Sequence, residues 1–433
     1  MLLKKELGVI ENSFYEASIQ RPATSPPLAE RTSTDVCVVG GGYTGISSAI
    51  ELAERGYSVV LLEAQRIGWG ASGRNGGQVI VGFGAEGEEA IAKQLSADDA
   101  RRAWDISVEG MQLLKDRITN YKIDCDYTPG YLNLAVKAGK VPDLRKWYDT
   151  VTQTYGYPLQ WIEPDEIGKW IASPRFHSGV YDDKSGHIHP LKYCLVLAEV
   201  ARSKGVRIFE NSAVYAVERG ERPVVKTAQG ELNCRFLVLA GNVYIGEYGE
   251  IASDICGKIM PVGTYIIATE PMDQGRADAL IPSRAAVTDT NFVLDYFRLS
   301  ADNRLLFGAG ESYSGTTPRN LIANMRSKML TVFPQLADLS IEHSWGGFVD
   351  LTMNKAPHFG RLGNNIYYLQ GFSGHGIAST GIAGKLVAEV IAGQAERFDL
   401  FARLKHHTFP GGTLLRTPLL VLGMMYYQLR DLL

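Results

Sequence analysis

The sequence predicts an α/β fold, a parallel doubly wound sheet with an antiparallel-sheet domain interleaved along the chain. Three observations predict it. Residues 34–63 read as strand, glycine turn, helix and strand compressed into thirty residues. Strand signals return near 206–240 and 366–370, the second just ahead of a strongly helical stretch at about 375–392. Between these visits, 258–311 is dominated by strand-like segments, the pattern of a separate antiparallel sheet.

A length of 433 residues sets a soft prior of two or three domains. The expected partition gives 1–90, 186–256 and 345–433 to the first domain, and 91–185 and 257–344 to the second. Lys and Arg number 44 against 47 Asp and Glu, a net charge of −3 without the basic footprint of a nucleic-acid binder. An apolar share of 45% and a charged share of 21% exclude a disordered chain. The five cysteines, Cys37, Cys125, Cys194, Cys234 and Cys256, are widely spaced and include no CxxC pair. They argue against a disulfide framework and a structural zinc site. The first twenty residues contain no apolar signal core, and no run of 18 apolar residues occurs anywhere. The expectation is a reduced, soluble, cytoplasmic protein without a transmembrane segment.

Taken in order, residues 1–33 read as an arm or linker with a proline-bearing stretch at 21–27. Residues 34–40 (TDVCVVG) form a short buried strand, and Ile46, Ala49, Ile50 and Ala53 give the next segment a helical stripe. Gly56 stands where that helix should stop, and 58–63 (SVVLLE) is the second buried strand. A glycine-dense loop follows at 67–78. Helices are expected at 97–121, 141–155, 190–204 and 319–333. Strands are expected at 131–136, across 206–240, and near 341–350 and 366–370. A hairpin with arms 292–299 and 304–310 is predicted around SADN (300–303).

Gly40, Gly42 and Gly45 spell GxGxxG at the first strand–helix junction, with Glu63 twenty-three residues beyond Gly40. Strand, helix and acidic residue are all in place, which makes this a dinucleotide fingerprint. Gly40 permits the tight turn, Gly42 lets backbone approach a pyrophosphate, and Gly45 lets helix and strand pack closely. Tyr43 and Thr44 lie in the same turn, where unpaired N–H groups favour an anion. Glu63, with Ala64 beside it, is placed to accept ribose hydroxyls and would repel a 2′-phosphate.

A nicotinamide enzyme needs neither the 67–78 loop nor a second glycine-rich element. Here QGFSGHGI (370–377) opens the last long helix, with Gly374, His375, Gly376 and Ile377 at its start. A helix N-terminus there would stabilise the negative charge that a reduced flavin develops at N1 and its C2 carbonyl. FAD is the dinucleotide that fits, and the first domain is then a Rossmann-like FAD-binding domain.

At these motifs the chain resembles the D-amino-acid-oxidase-like superfamily of FAD proteins and, within it, the gamma-glutamylputrescine oxidase family. The resemblance runs from SFYEAS (13–18) to YYQLRD (426–431). It is carried by 37–45, 70–78, DCDYTPG (124–130), SGHIHPL (185–191), 294–308 and FSGHG (372–376). It implies oxidation of the terminal amine of a gamma-glutamylated diamine to an imine. Water then gives the aldehyde and ammonia, and O2 is reduced to H2O2. It also implies that Ser72, Arg74, Asn75, Gly76, Gly77 and Gln78 line the flavin and pyrophosphate. Val214 would meet the adenine through its backbone, and Ala240 and Gly241 would close over the cofactor.

Three departures from that family pattern matter. No cysteine stands in SWGGF (344–348), where sarcosine-oxidase-like members attach FAD, so non-covalent FAD is expected. Ile377, Ala378 and Ser379 follow GHG where those members place a basic residue for a substrate carboxylate. This suits an amine whose carboxylate lies far from the reacting carbon. The lysine that sarcosine oxidases use toward oxygen is absent from GAGESY (308–313).

Since the flavin does the redox chemistry, no catalytic side chain is assigned; His375 is the candidate base. Strand alternation puts Phe292, Leu294, Tyr296 and Arg298 on one face, from which Arg298 could meet a glutamyl carboxylate; Tyr265 and Lys355 are further substrate candidates. His187, His189 and Cys194 lack a further ligand cluster, and His-Pro ahead of a helix is an ordinary helix start, so no metal is expected. The apolar tail 414–429 is interrupted by Arg416 and Pro418 and is too short to span a bilayer. It is expected to pack on its own chain or on a second copy in a homo-oligomer. Two other readings stand beside the oxidase. One is a membrane-surface dehydrogenase passing electrons to a quinone or partner, the other a non-catalytic flavin-binding protein.

Overall fold

A computed structural model describes residues 12–291, 293–312 and 320–412. Phe292, Tyr313 and the tail 414–429 lie outside the described residues. The first sheet runs His358–Leu362, Ile366–Gln370, Glu231–Leu239, Arg31–Val39, Val59–Leu62, Arg207–Phe209. Its pairings are parallel except at the His358–Leu362 edge and at the ribbon formed by Val214–Glu218 and Val224–Thr227. The chain therefore enters this sheet three times.

Alternation explains why its central strands read as continuous apolar runs. Val36, Val38, Val59 and Leu61 join one apolar cluster, together with Ile46 and Ile50 of helix Tyr43–Glu54 and Leu386 of helix Gly376–Ile391. Cys37, Val39, Val60 and Leu62 join another with Val214, Leu237 and Leu239. Both faces are covered, as a parallel sheet requires.

The second sheet runs Ile341–Leu351, Met260–Thr269, Leu305–Ser312, Tyr296–Leu299, Ala286–Asp289, Thr128–Ala135, Ser178–His187, Gln78–Val79. It is antiparallel apart from the pairing of Ala286–Asp289 with Thr128–Ala135. One face buries Phe297, Phe307, Ile267 and Tyr265 in a cluster with Met325 and Met329 of helix Leu321–Val332. The other gathers Ile266, Leu306 and Trp345 around Phe14 and Tyr15. Strand Ile341–Leu351 lies wholly in this sheet, so we propose moving the 344/345 domain boundary to its end.

Several expectations change. Phe14–Ala17 is a short helix inside what reads as an arm, because Phe14 and Tyr15 are buried against the second sheet. The hairpin arm begins at Tyr296 instead of 292. Ahead of it the Asp289 carboxylate accepts from Asn291 N and Asp295 N, both at 3.1 Å, so a side-chain turn replaces ladder pairing and Leu294 is exposed. Helix Gln274–Leu280, capped by Asp273, interrupts the strand-rich 258–311 region, and helix Glu396–Ala402 follows the expected last helix. Among the described residues no single helix is long and apolar enough to cross a membrane.

His187 and His189 do not gather a metal site, and among the described residues no group of three or more His, Cys, Asp or Glu could hold an ion. The His187 ring lies 3.0 Å from Arg284 O. His189 caps helix Pro190–Ser203, its Nδ1 accepting from Lys192 N at 3.2 Å while Nε2 meets Ser18 Oγ at 3.0 Å. Burial, aided by the Arg298 and Lys192 cations, lowers the His189 pKa to about 3. The native state therefore holds it neutral while the unfolded chain protonates near 6.5. The stability this neutrality supports is present above pH 6.5 and is lost as pH falls toward 3. His189→Asn keeps a capping oxygen but removes the titration. Denaturation at pH 7, 6 and 5 should show the wild type losing stability relative to the variant by up to about 1.4 kcal/mol per pH unit. Parallel pH profiles would refute this.

Candidate functional site

The first glycine turn is a place where backbone meets backbone. At Gly40, φ is +116° and a Cβ would stand 2.5 Å from Ala240 O, so only glycine lets the neighbouring strand end close over the turn. A Cβ on Gly45 would overlap Gly40 O, which sets how near the helix lies to its strand. Gly42 begins helix Tyr43–Glu54 without a side-chain cap of its own, and Tyr43 N donates instead to Ser72 Oγ at 2.9 Å. The glycine-dense loop thus reaches the helix N-terminus directly. Thr44 is buried in that first turn.

Glu63 stands at the end of Val59–Leu62, beside Ala64. Its carboxylate accepts from Gly41 N at 2.6 Å and Gln65 N at 2.9 Å. Burial, reinforced by the Glu210 carboxylate, raises its pKa despite those backbone donors. A carboxylate has about four acceptor positions, so these two bonds leave capacity for hydroxyl donors. Asn211 N and Ser212 N donate to Gln65 O and Glu63 O at 2.9 and 2.8 Å, which brings Val214 to the same end of the sheet.

Loop 70–78 is tightly tied. The Arg74 guanidinium lies 4.2 Å from the centre of the Trp69 ring. Asn75 folds back, donating to Ala71 O at 2.9 Å and accepting from Gly77 N at 2.8 Å. Gln78 Nε2 donates to Val287 O at 2.9 Å in the second sheet. A Cβ on Gly76 would stand 2.8 Å from the Tyr296 ring, so that tyrosine lies directly on the loop.

The second glycine turn is held by a residue with no motif to announce it. Asp350, fully enclosed at the end of Ile341–Leu351, accepts from Gly371 N, and from Phe372 N at 3.2 Å. Burial outweighs those donors and raises its pKa to about 6. The turn passes through Gly371, Ser373 and Gly374, all at positive φ, into helix Gly376–Ile391, which has no side-chain cap. His375 packs on Gly84, where a Cβ would stand 2.7 Å from its Cε1. Burial, with the Lys355 charge, lowers the His375 pKa to about 4, so it is neutral at pH 7 and a weak base.

The two turns share a property that suits a dinucleotide. Beside the first, Asn242 Oδ1 is buried without a hydrogen-bond partner among the described residues; beside the second, so is His375 Nδ1. Leftover polar atoms, a second helix N-terminus without a side-chain cap and a first turn without room for Cβ atoms at Gly40, Gly42 and Gly45 fit an anionic, hydrogen-bonding cofactor. Asn242 and Asp350 were not expected from sequence. Asn242 leaves no signal in the sequence, and Asp350 only that of a lone acid in the apolar run FVDL.

The substrate candidates separate. Tyr265 belongs to the cluster beneath helix Leu321–Val332, on the face opposite Tyr296, so the two do not line one slot. Arg298 neither meets solvent nor presents a free fork to a carboxylate. Its Nε donates to Gly76 O at 2.7 Å, Nη2 to Tyr15 OH at 3.1 Å and Nη1 to Leu299 O at 3.3 Å, at 3% exposure. Leu294 lies outside the strand and shares no face with them. Lys355, half-buried at φ 61°, sits near His375.

A family model of FAD-dependent oxidoreductases (DAO) matches residues 35–390. The chain is 42% identical over 420 residues to the gamma-glutamylputrescine oxidoreductase of Escherichia coli strain K12, covering 97% of this chain and 98% of that protein. It is 35% identical to the probable oxidoreductase OrdL of Rhizobium meliloti, covering 97% of each. Glycine oxidase from Geobacillus kaustophilus shares the fold at a TM-score of 0.72, with 21% identity over 87% of this chain and 99% of that one. L-proline dehydrogenase from P. horikoshii does so at 0.72 and 22%, over 86% and 98%.

The placement of Glu63 gives a test. Glu63→Ala removes a charge-assisted acceptor of about 1.5–3 kcal/mol, so FAD binding should weaken by roughly 10- to 100-fold while the fold persists. Equilibrium dialysis with far-UV circular dichroism would check it, and unchanged FAD affinity would count against the ribose contact.

Proposed function

The chain belongs to the DAO family of FAD-dependent oxidoreductases, and on that premise we propose that it oxidises the terminal amine of a gamma-glutamylated diamine. Amine, O2 and water would give aldehyde, ammonia and H2O2. The observation that carries this reading is the 42% identity to gamma-glutamylputrescine oxidoreductase across nearly the full length of both chains. Bound FAD supplies the two-electron acceptor for the carbon–nitrogen bond.

The protein's part is binding and orientation. We assign Gly40, Gly42, Tyr43, Thr44, Gly45 and Ser72 to the pyrophosphate, with Glu63, Ala64 and Val214 toward the adenosine. Arg74, Asn75, Gly76, Gly77 and Gln78 would line the flavin together with the turn Gly374–Ile377, and Ala240, Gly241 and Asn242 would close the cradle. His375, neutral and weakly basic, is better suited to hydrogen bonding than to deprotonating an alkylammonium.

Two features support a substrate with a remote carboxylate. Ile377, Ala378 and Ser379, the first residues of the helix after GHG, are buried and carry no cation. The Arg298 donors are directed at the protein itself. An α-amino acid would have its carboxylate beside the flavin with neither to receive it, whereas a gamma-glutamyl amide presents an alkylamine there. All five cysteines are free thiols, which suits a reducing, cytoplasmic setting.

A peroxide-coupled assay should show gamma-glutamylputrescine turning over well, free putrescine poorly, and sarcosine and D-alanine scarcely at all. Sarcosine or a D-amino acid as best substrate would overturn the proposal; turnover with a dye acceptor but not with O2 would make the enzyme a dehydrogenase. Strand Ile341–Leu351 contains no cysteine. Acid precipitation should therefore release the flavin into the supernatant, and fluorescence retained in the washed pellet would show a covalent bond.

A further inference from the structure

Four successive backbone carbonyls in the glycine-dense loop each accept a hydrogen bond from a different part of the chain. Arg74 O accepts from Trp345 Nε1 at 2.9 Å. Asn75 O accepts from Tyr15 OH at 2.9 Å, and Gly76 O from Arg298 Nε at 2.7 Å. Gly77 O accepts from Ile188 N at 2.8 Å. The three side-chain donors come from strand Ile341–Leu351, helix Phe14–Ala17 and strand Tyr296–Leu299, none of which belongs to the first sheet.

The donors are themselves locked. Tyr15 and Trp345 are fully buried, with ring centres 5.0 Å apart in an edge-on arrangement. Arg298 donates to the same Tyr15 hydroxyl that donates to Asn75 O. Among the described residues Arg298 has no carboxylate partner, so backbone carbonyls and a phenol satisfy this buried cation. Gly70, Gly73, Gly76 and Gly77 deprive the loop of conformational preference. Asn75 supplies bonds within the loop, to Ala71 O and from Gly77 N, while the carbonyls of residues 74–77 are fixed from outside it. A planar peptide points its N–H opposite its carbonyl, so fixing four carbonyls also orients the amides at the other ends of those peptide planes.

We propose that Tyr15, Arg298 and Trp345 form a clamp that positions residues 74–77 against the flavin, making the Phe14–Ala17 helix part of the cofactor site. The proposal rests on the reading that residues 72–78 line the flavin. It makes Arg298 a positioning residue, and Lys cannot replace it because a single ammonium does not reproduce the guanidinium fork.

The test uses the full-length protein and its Tyr15→Phe, Arg298→Lys and Trp345→Phe variants. Hydrogen exchange of residues 72–78 is measured with and without FAD, alongside the FAD dissociation constant and the visible flavin spectrum. In the wild type FAD should protect 72–78. Each variant should lose part of that protection, bind FAD about 3- to 10-fold more weakly, and shift the flavin band. Tyr15→Phe combined with Arg298→Lys should cost less than the product of the two, because they share a bond. Wild-type protection with variants that keep the same protection, affinity and spectrum would overturn the clamp. Absence of wild-type protection would instead overturn the flavin-lining reading beneath it. Trp345→Phe, which removes a single N–H from a different element, keeps the test decisive if an Arg298 variant fails to fold.

Discussion

The structure depends on one steric constraint, the absence of room for any side chain where Gly40, Gly45 and Ala240 meet. The carbonyl of Ala240 occupies the place of a Gly40 Cβ, and the carbonyl of Gly40 occupies that of a Gly45 Cβ. Helix Tyr43–Glu54 is thereby drawn onto its strand at a fixed distance. The next contact is just as close. A Cβ on Gly384 would stand 2.6 Å from Ser48 N, so helix Gly376–Ile391 lies tightly against helix Tyr43–Glu54. Ser47 Oγ donates to Gly381 O at 2.8 Å across that seam. Arg117, buried on helix Ala97–Asn120, ties it down by donating to Ser47 Oγ and to Glu51 at 2.7 and 2.9 Å. The two helix N-termini are thus set relative to each other by glycine contacts and by the Arg117 tie across the seam.

Buried ionisable groups follow a consistent division. Where a charge is buried near the two turns, it is spent on backbone: Glu63 on Gly41 and Gln65, Asp350 on Gly371 and Phe372, Arg298 on Gly76 and Leu299. Such bonds fix loops that have little preference of their own, at the expense of desolvating the charge. Histidines in the same interior are kept neutral by burial, with His187 and His189 both lowered to about 3 and Arg298 adding to the effect.

The sequence displayed what is local. GxGxxG, strand 58–63, helices 97–121 and 190–204 and the turn at 370–377 all announce themselves through spacing within one element, and the structure has elements there. What escaped depends on partners distant in sequence. Tyr15 acts on Asn75, Trp345 on Arg74, and Asp350 on Gly371; nothing within a few residues of any of them encodes that pairing. Arg298 shows how alternation misleads. It shares the Tyr296 face as alternation predicts, yet that face meets the loop and the N-terminal helix, and the guanidinium bonds there. Tyr265, a candidate without a positional signal, lies in the cluster on the opposite face of the sheet from Tyr296. Phe14–Ala17 reads as linker because four residues carry no period.

The interleaving of the two sheets acquires a physical meaning from these contacts. If the second sheet only held substrate, the FAD-binding half would be complete without it. Instead Trp345, Arg298 and Gln78 connect that sheet to the glycine-dense loop, while Tyr43 connects the loop through Ser72 to the first helix. Asp350, on a second-sheet strand, shapes the turn that opens the last first-domain helix. The second turn therefore has support from both sheets, and the first is joined to the second sheet through loop 70–78. A cradle built across two sheets forms only when both have folded and docked. The repeated crossing of the chain between the sheets ties the second sheet to the loop and turn contacts of the first.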